Sequence, residues 1–391
     1  MASQDGSHLN LGPADKPLPH PTPTHIWTSQ PEGRSNCYSD PEGRFSIVAA
    51  DDGDARGFLR MDAYSAALAF VEGRFAVHGD IFSAIRFFSD HSQSSLRHLL
   101  FSITARLENL KMHSFSGGRK QAAEKIQFHY DRSNEFYKLF LDSRMVYSAA
   151  HFSTPEQSLE EAQVEKLDRI CRDLQLKPED RFLDIGCGWG GLIDYASSHF
   201  GVTALGCTLS EQQLQLARDL VQRHGLERLA RVEPLDYRDL TGCFDKIASV
   251  GMFEHVGRDR LRGYFEKIHS LLGERGLFLN RGVVRPKGVS DGPETLFLQK
   301  NVFPGGELVH LEDVTREGER AGLDVIGVED LHKHYALTCR AWVKNLQQHA
   351  ATCHFVVGET TYRTWLLYLA ASAVSFEDGR TGAVQVLFTK R

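Results

Sequence analysis

The stretch Phe182-Leu-Asp-Ile-Gly-Cys-Gly-Trp-Gly-Gly191 constrains the fold of this chain more than any other. An apolar run of strand character ends in Gly186, Gly188 and Gly190, and a helical pattern begins at once. Glycine permits a tight turn there and lets a ligand approach the backbone closely. Strand and helix patterns alternate around it. Helical patterns at 159–174, 190–199, 210–224 and 260–272 interleave with strand patterns at 181–185, 202–207, 231–235, 246–250 and 277–283. This alternation predicts an α/β fold with a doubly wound, mostly parallel, Rossmann-like sheet.

The first part of the chain reads differently. Residues 1–31 hold six of the thirteen prolines, and the segment 1–39 is expected to be disordered because it has little to bury. From there, 45–49, 57–61 and 75–78 read as short strands, and 62–71, 81–88 and 93–110 as helices. These make a small α+β N-terminal domain over 40–118, closed by Gly117-Gly118, with a helix predicted at 119–128 and the α/β domain over 119–391. Lys plus Arg is 45 against 51 Asp plus Glu, a formal charge of −6, which argues against nucleic acid as a partner. The seven cysteines are scattered and form no CxxC pair, so neither a disulfide framework nor a zinc site is expected. His332, His334, His349 and His354 with Cys339 and Cys353 fit no ligand spacing, and no metal is expected. With no secretory signal and no run of about 20 apolar residues, the expected compartment is the reducing cytoplasm.

The glycine turn carries an acid, Asp184, in the order Asp-Ile-Gly-Cys-Gly rather than the GxGxxG of dinucleotide enzymes. A carboxylate suits a ligand's cationic amine better than a pyrophosphate, which favours S-adenosylmethionine over NAD. Nucleotide-binding folds often place an acid for the ribose after the second strand. Here that place reads Gly206-Cys-Thr-Leu-Ser-Glu-Gln-Gln213, with no acid at the strand end. Thr208 and Gln213 are the candidate ligand partners, whereas Ser210 and Glu211 read equally well as a helix cap and a first-turn acid. After the third strand, Asp236-Tyr237 offers an acid and an aromatic face to an adenine.

Taken together, these segments resemble the cyclopropane fatty acid synthases, also called mycolic acid cyclopropane synthases. The resemblance rests on Phe128-His-Tyr-Asp131, Asn134-Glu-Phe-Tyr137, Tyr147-Ser148, Asp184 to Gly190, Thr208-Leu-Ser210 with Gln213, and Asp236-Tyr-Arg-Asp239. It continues through Gly251-Met-Phe-Glu-His-Val-Gly257, Tyr264-Phe265, Phe303-Pro-Gly-Gly306, and Tyr335 with Thr338 and Trp342. It implies a class I methyltransferase fold that moves the methyl of S-adenosylmethionine onto a double bond in a lipid acyl chain. The implied cofactor residues are Tyr147, Ser148, Asp184, Gly186, Cys187, Gly188, Gly190, Thr208, Leu209, Gln213, Asp236, Tyr237 and His255. The implied catalytic residues are Glu254 and Tyr335, with Arg281 at the position of a family histidine.

In the family a bound bicarbonate is taken as the base, held by Cys, Glu, His and Tyr side chains. Two of those ligands depart here, because Ala149 replaces the cysteine and Arg281 the histidine. Arginine stays protonated and cannot take the proton. The bicarbonate site is therefore expected to be altered or absent. Glu254 or Tyr335 then handles the proton, and a methylated, non-cyclised chain stands beside a cyclopropane as product.

The expected partners are unsaturated phospholipid acyl chains, reached by transient contact with the inner face of the membrane, and a homodimer is left open. Arg285-Pro-Lys-Gly288 through Leu296-Phe-Leu298 and the helical run 99–111 are candidates for that contact; both also read as ordinary loop and core. Two other functions compete: methylation of a soluble small molecule, and a non-catalytic lipid-binding relative.

Overall fold

The computed structural model describes residues 37–50, 55–59, 61–92, 133–289, 293–303 and 307–391. The expected helices at 93–110 and 119–128, the Gly117-Gly118 linker and the motif from Phe128 to Asp131 lie outside these residues. Residues Ser35–Arg391 belong to one compact unit.

That unit contains a three-stranded antiparallel sheet, β1 (Cys37–Ser39), β2 (Phe45–Ala49) and β3 (Phe75–Gly79), in the order β1-β2-β3. Order therefore begins before residue 40, since Cys37 pairs with Val48. The strand expected at 57–61 is a single helical turn instead, α1 (Ala55–Phe58). A short apolar run does not by itself distinguish strand from helix, and Phe58 is buried either way. Helices α2 (Ala63–Val71) and α3 (Ile81–Ser92) follow their patterns, and Asp62 caps α2 by accepting from the Ser65 N–H at 2.9 Å.

The larger sheet has seven strands in the order β6-β5-β4-β7-β8-β10-β9. Strands β4 (Arg181–Ile185), β5 (Thr203–Cys207), β6 (Ala230–Glu233), β7 (Phe244–Val250) and β8 (Leu272–Val284) pair in parallel. Strand β10 (Gly382–Lys390) lies antiparallel between β8 and β9 (Leu323–Asp330). In β4 and β5 every residue after the first is buried, as a parallel sheet covered on both faces requires. The chain order reverses beside β4, and ligands in open α/β sheets bind at the carboxyl ends of the strands beside such a switch point.

Helices α4 (Asn134–Lys138) and α5 (Leu159–Asp173) precede the sheet, α6 (Gly191–Phe200), α7 (Glu211–Arg223) and α8 (Leu261–Leu271) cross between its strands, and α9 (Pro293–Asn301) and α10 (Leu311–Arg320) follow β8. A capping box sets the start of α5, where Ser158 and Glu161 each satisfy the other's backbone N–H. Two long helices, α11 (His332–Gln348) and α12 (Ala350–Glu377), separate β9 from β10, and α12 is interrupted at Gly358, whose φ is 78°. Among the described residues no helix is long and apolar enough to cross a membrane.

One apolar cluster joins the small sheet to these long helices, from Phe45, Phe70 and Phe75 to Trp342, Trp365 and Phe376. Arg363 on α12 strengthens the seam by donating to the carbonyl oxygens of Phe70 at 3.1 Å and Phe75 at 2.9 Å. The N-terminal elements are thereby held against the helices that carry Tyr335 and Tyr368.

Candidate functional site

Two cavities meet above the carboxyl end of the parallel sheet, and Tyr147, Gly251 and His255 line both. The first has a volume of about 500 Å³ and surrounds the glycine turn. Gly186, Gly188 and Gly190 adopt φ of 76°, 55° and 88°, a region that favours glycine. The turn is tied to β5 because Gly186 and Cys187 both donate to the Cys207 carbonyl, at 3.0 and 3.1 Å. β5 comes this close because Gly206 has no side chain; a Cβ there would lie 2.8 Å from the Cys187 sulfur.

Asp184 lies at the floor of this cavity, 2% exposed. No described residue donates a hydrogen bond to its carboxylate, and burial pushes its pKa up to about 7. A buried acid that accepts no hydrogen bond in a ligand cavity is poised for a donor from the ligand. Facing it is Lys166 of α5, equally buried, whose Nζ donates to Ser148 Oγ at 2.8 Å. Burial, together with the Arg281 charge, drives this ammonium well below the usual lysine range, against the pull of Asp142 and Asp184. Thr208 donates to Gln213 Oε1 at 2.8 Å, with both residues buried on the wall. Asp236 is held by Arg238, whose Nε donates to Oδ1 at 2.8 Å, and the Tyr237 ring stands edge-on to Tyr264 at 5.5 Å.

All the cofactor residues expected from the sequence line this cavity except Gly190. Gly190 instead lets α6 pack on α7, since a Cβ there would lie 3.0 Å from Ala217 Cβ. Lys166 is not among the residues the sequence singles out. Its signal is visible in retrospect, because it and Gln163 are polar residues on the otherwise apolar stripe Leu159, Ala162, Leu167 and Ile170.

The second cavity, of about 620 Å³, is mostly apolar. Ala66, Phe70, Ile81 and Phe88 from the N-terminal helices form one wall, and Phe297, Leu367 and Phe376 contribute to the other. Glu254 and Tyr335 both face it. Glu254 Oε1 accepts from the Val283 N–H at 2.7 Å, while Oε2 is shut off from solvent and has no partner among the described residues. Burial raises this carboxyl to about 7 and lowers the neighbouring His255 to about 4. Gly282 makes room for the acid, as a Cβ there would lie 2.5 Å from Oε1. The Tyr335 ring stacks on Phe376 at 4.5 Å.

Arg281 does not join them. It lines neither cavity, is 3% exposed, and its Nη2 donates to the carbonyls of Ala149 at 3.0 Å and Ala150 at 3.3 Å. Residues alternate across a strand, so Arg281 and Gly282 face opposite sides of β8, and Arg281 is drawn toward those carbonyls. Burial lowers its pKa to about 10. Its Nε is buried without a hydrogen-bond partner among the described residues.

A family model described as mycolic acid cyclopropane synthetase matches residues 118–386. The chain belongs to this family. Over 330 residues it is 41% identical to a probable fatty acid methyltransferase of Pseudomonas putida, covering 82% of this chain and 81% of that protein. Over 340 residues it is 30% identical to the sphingolipid C9-methyltransferase of Komagataella phaffii, covering 82% of this chain and 68% of the relative. Among solved structures it is similar to the cyclopropane synthase MmaA2 from Mycobacterium tuberculosis, with 31% identity and a TM-score of 0.66 over 68% of this chain and 98% of that one. A mycolic acid cyclopropane synthase, CmaA1, solved with SAH and CTAB, matches at 30% identity and a TM-score of 0.65 over the same shares. This family member is a methyltransferase with the fold of the S-adenosylmethionine-dependent class.

Proposed function

We propose that this family member transfers a methyl group from S-adenosylmethionine to the double bond of an unsaturated acyl chain, most simply one carried by a membrane phospholipid. The observation that carries this reading is the junction of the two cavities. One is built around a glycine turn and a buried acid; the other is lined mostly by apolar side chains and faces Glu254; Tyr147, Gly251 and His255 line both.

The first cavity fits the cofactor. Asp184 matches its ammonium, Asp236 and Tyr237 suit the ribose and adenine, and the Gly186 and Gly188 turn leaves its path clear. When bound, S-adenosylmethionine supplies an electrophilic methyl group. An alkene is a weak nucleophile, so the residues of the chain act first by holding reactants in near-attack geometry and by excluding water. The alkene's π pair would form the new bond to the methyl carbon while sulfur kept the old carbon–sulfur pair as a neutral thioether, which would leave the neighbouring alkene carbon cationic. The Tyr147 and Tyr335 ring faces and the Glu254 carboxylate oppose that charge. Glu254 Oε2, buried and without a partner among the described residues, then accepts the proton.

The residues do not fit a bicarbonate held as in the family. Ala149 brings no thiol, and Arg281 brings no imidazole to take a proton, its Nη2 donating to two backbone carbonyls. No step runs through that anion. Proton loss from a neighbouring chain carbon leaves a methylated olefin, and loss from the new methyl closes a cyclopropane. Reaching a phospholipid chain entails contact with the bilayer surface.

The test is mass spectrometry of extracted lipid after incubating the enzyme with vesicles of unsaturated phospholipid and trideuteromethyl cofactor. Label in the acyl chains is the expected result. Three retained deuteriums identify the methylated olefin and two the cyclopropane. Turnover confined to soluble amines or polyketides would overturn the acyl assignment, and failure to bind cofactor in calorimetry would overturn catalysis altogether.

A further inference from the structure

The apolar cavity has one polar corner that the methyl-transfer chemistry does not use. β8 and β10 pair up to Val284 opposite Gly382. A Cβ on Gly382 would lie 3.0 Å from Val284 and 3.7 Å from Pro286, so the residues on either side of Arg285 pack against the residue that follows Arg380-Thr381. Both arginines line the acyl cavity, as do Ser89, Ser375 and Thr381. The corner is built rather than loose. Ser375 and Thr381 share a hydrogen bond of 2.6 Å, the Arg380 N–H donates to the Ser375 carbonyl at 2.9 Å, and Arg380 Nη1 donates to Ser89 Oγ at 3.0 Å. Arg380 Nη2 also pairs with Asp378 Oδ2 at 3.3 Å.

The cavity's described carboxylates are committed elsewhere. Glu307 accepts from the Arg258 N–H at 3.0 Å, and Glu254 accepts from Val283. Two guanidinium groups and two hydroxyls at the end of a hydrocarbon-lined space are the donor set that recognises an oxyanion. Arg285 follows the end of β8, two residues and about 7 Å of extended chain beyond Val283, whose N–H holds Glu254. A charged end anchored there and a chain running along the apolar wall would carry the olefin past the carboxylate.

We infer that Arg285 and Arg380 bind the acidic headgroup of the acyl substrate, a phosphate or a carboxylate, and so select acidic over neutral lipids. This rests on the acyl-chain reading above and adds the substrate's charge to it.

The experiment uses the full chain, labelled cofactor and three acceptors in the same neutral detergent micelles: dioleoylphosphatidylglycerol, oleate and uncharged methyl oleate. The wild type is expected to favour at least one acidic acceptor over methyl oleate by ten-fold or more in kcat/KM. Which one it favours tells phosphate from carboxylate. Arg285→Gln and Arg380→Gln are each expected to cut that ratio about ten-fold, through KM more than kcat, and Arg285→Lys to restore part of it. Cofactor affinity, read by calorimetry, reports that the variants are folded. Equal use of methyl oleate by the wild type would overturn the inference, as would variants that bind cofactor normally and lose all acceptors in proportion. Label in none of the three acceptors would sink the acyl reading itself.

Discussion

Replacing Glu254 by glutamine tests both the catalytic assignment and its electrostatic cause. The side chain stays isosteric, and its oxygen can still accept from the Val283 N–H, now 2.7 Å away. What disappears is the ability to ionise. Burial raises this carboxyl from 4.5 to about 7, so the fold prefers its protonated form. The stabilising preference for the neutral acid is therefore fully present below pH 4.5 and is lost as pH rises through about 7. A tenfold change in proton affinity between folded and unfolded chain is worth about 1.4 kcal/mol, so the wild type gives up about 2–3 kcal/mol between pH 5 and pH 8 that Glu254→Gln does not. Any cost of burying the glutamine's amide is the same at both pH values and cancels in the difference. Denaturant unfolding of both proteins at pH 5 and pH 8 reads this directly, with Glu254→Gln gaining on the wild type at the higher pH. Turnover gives the second readout. The wild-type rate should climb through about pH 7 as Oε2 becomes able to accept a proton, and the variant should be at least a hundred-fold slower throughout. A stability gap that does not move with pH would show that the carboxylate is solvated. A variant with wild-type turnover would remove Glu254 from the mechanism.

Other substitutions probe the same site from different sides. Gly282→Ala, whose Cβ would meet Glu254 Oε1 at 2.5 Å and Phe253 Cε1 at 2.6 Å, should displace the acid and abolish turnover while cofactor binding persists, measured by calorimetry beside an activity assay. Asp184→Asn removes the buried acid proposed to meet the cofactor's ammonium and should weaken cofactor binding ten-fold or more, with little change in thermal stability at neutral pH. Lys166→Met deletes the donor to Ser148 Oγ; a raised cofactor Kd with a circular dichroism spectrum like the wild type's is the expected result. Added bicarbonate should leave the wild-type rate unchanged, because Arg281 bonds the Ala149 and Ala150 carbonyls. The double substitution Ala149→Cys with Arg281→His should create a bicarbonate-dependent rate if that replacement is what removed the anion site.

Much of the cofactor cavity is legible in the sequence because its parts are local. A strand, three glycines and an acid fall within nine residues, from Phe182 to Gly190, and their spacing alone states the turn. Ser210 illustrates the limit. Its sequence context suits a ligand partner and a helix cap alike, and the structure shows the cap, its Oγ accepting from the Gln213 N–H at 3.3 Å. The strands β9 and β10 and the long helices around Tyr335 have no signature of their own, since an antiparallel insertion at a sheet edge has no periodicity distinct from other strands. The second, apolar cavity is hidden for a related reason. Phe70, Ile81 and Phe88 look like core residues in any apolar helix, and only their placement opposite Phe297 and Leu367 leaves a space between them.

The order of residues along the chain determined the parallel sheet, the glycine turn and the presence of an acid at each of the two decisive points, because those features arise from contacts between near neighbours and from backbone freedom. Tertiary packing alone decided that Glu254 lies beside an apolar cavity without a solvent path to Oε2, that Arg281 reaches toward Ala149, and that two arginines 95 residues apart, Arg285 and Arg380, line one cavity. Burial and long-range register set those outcomes, and neither is written in any short stretch of the chain.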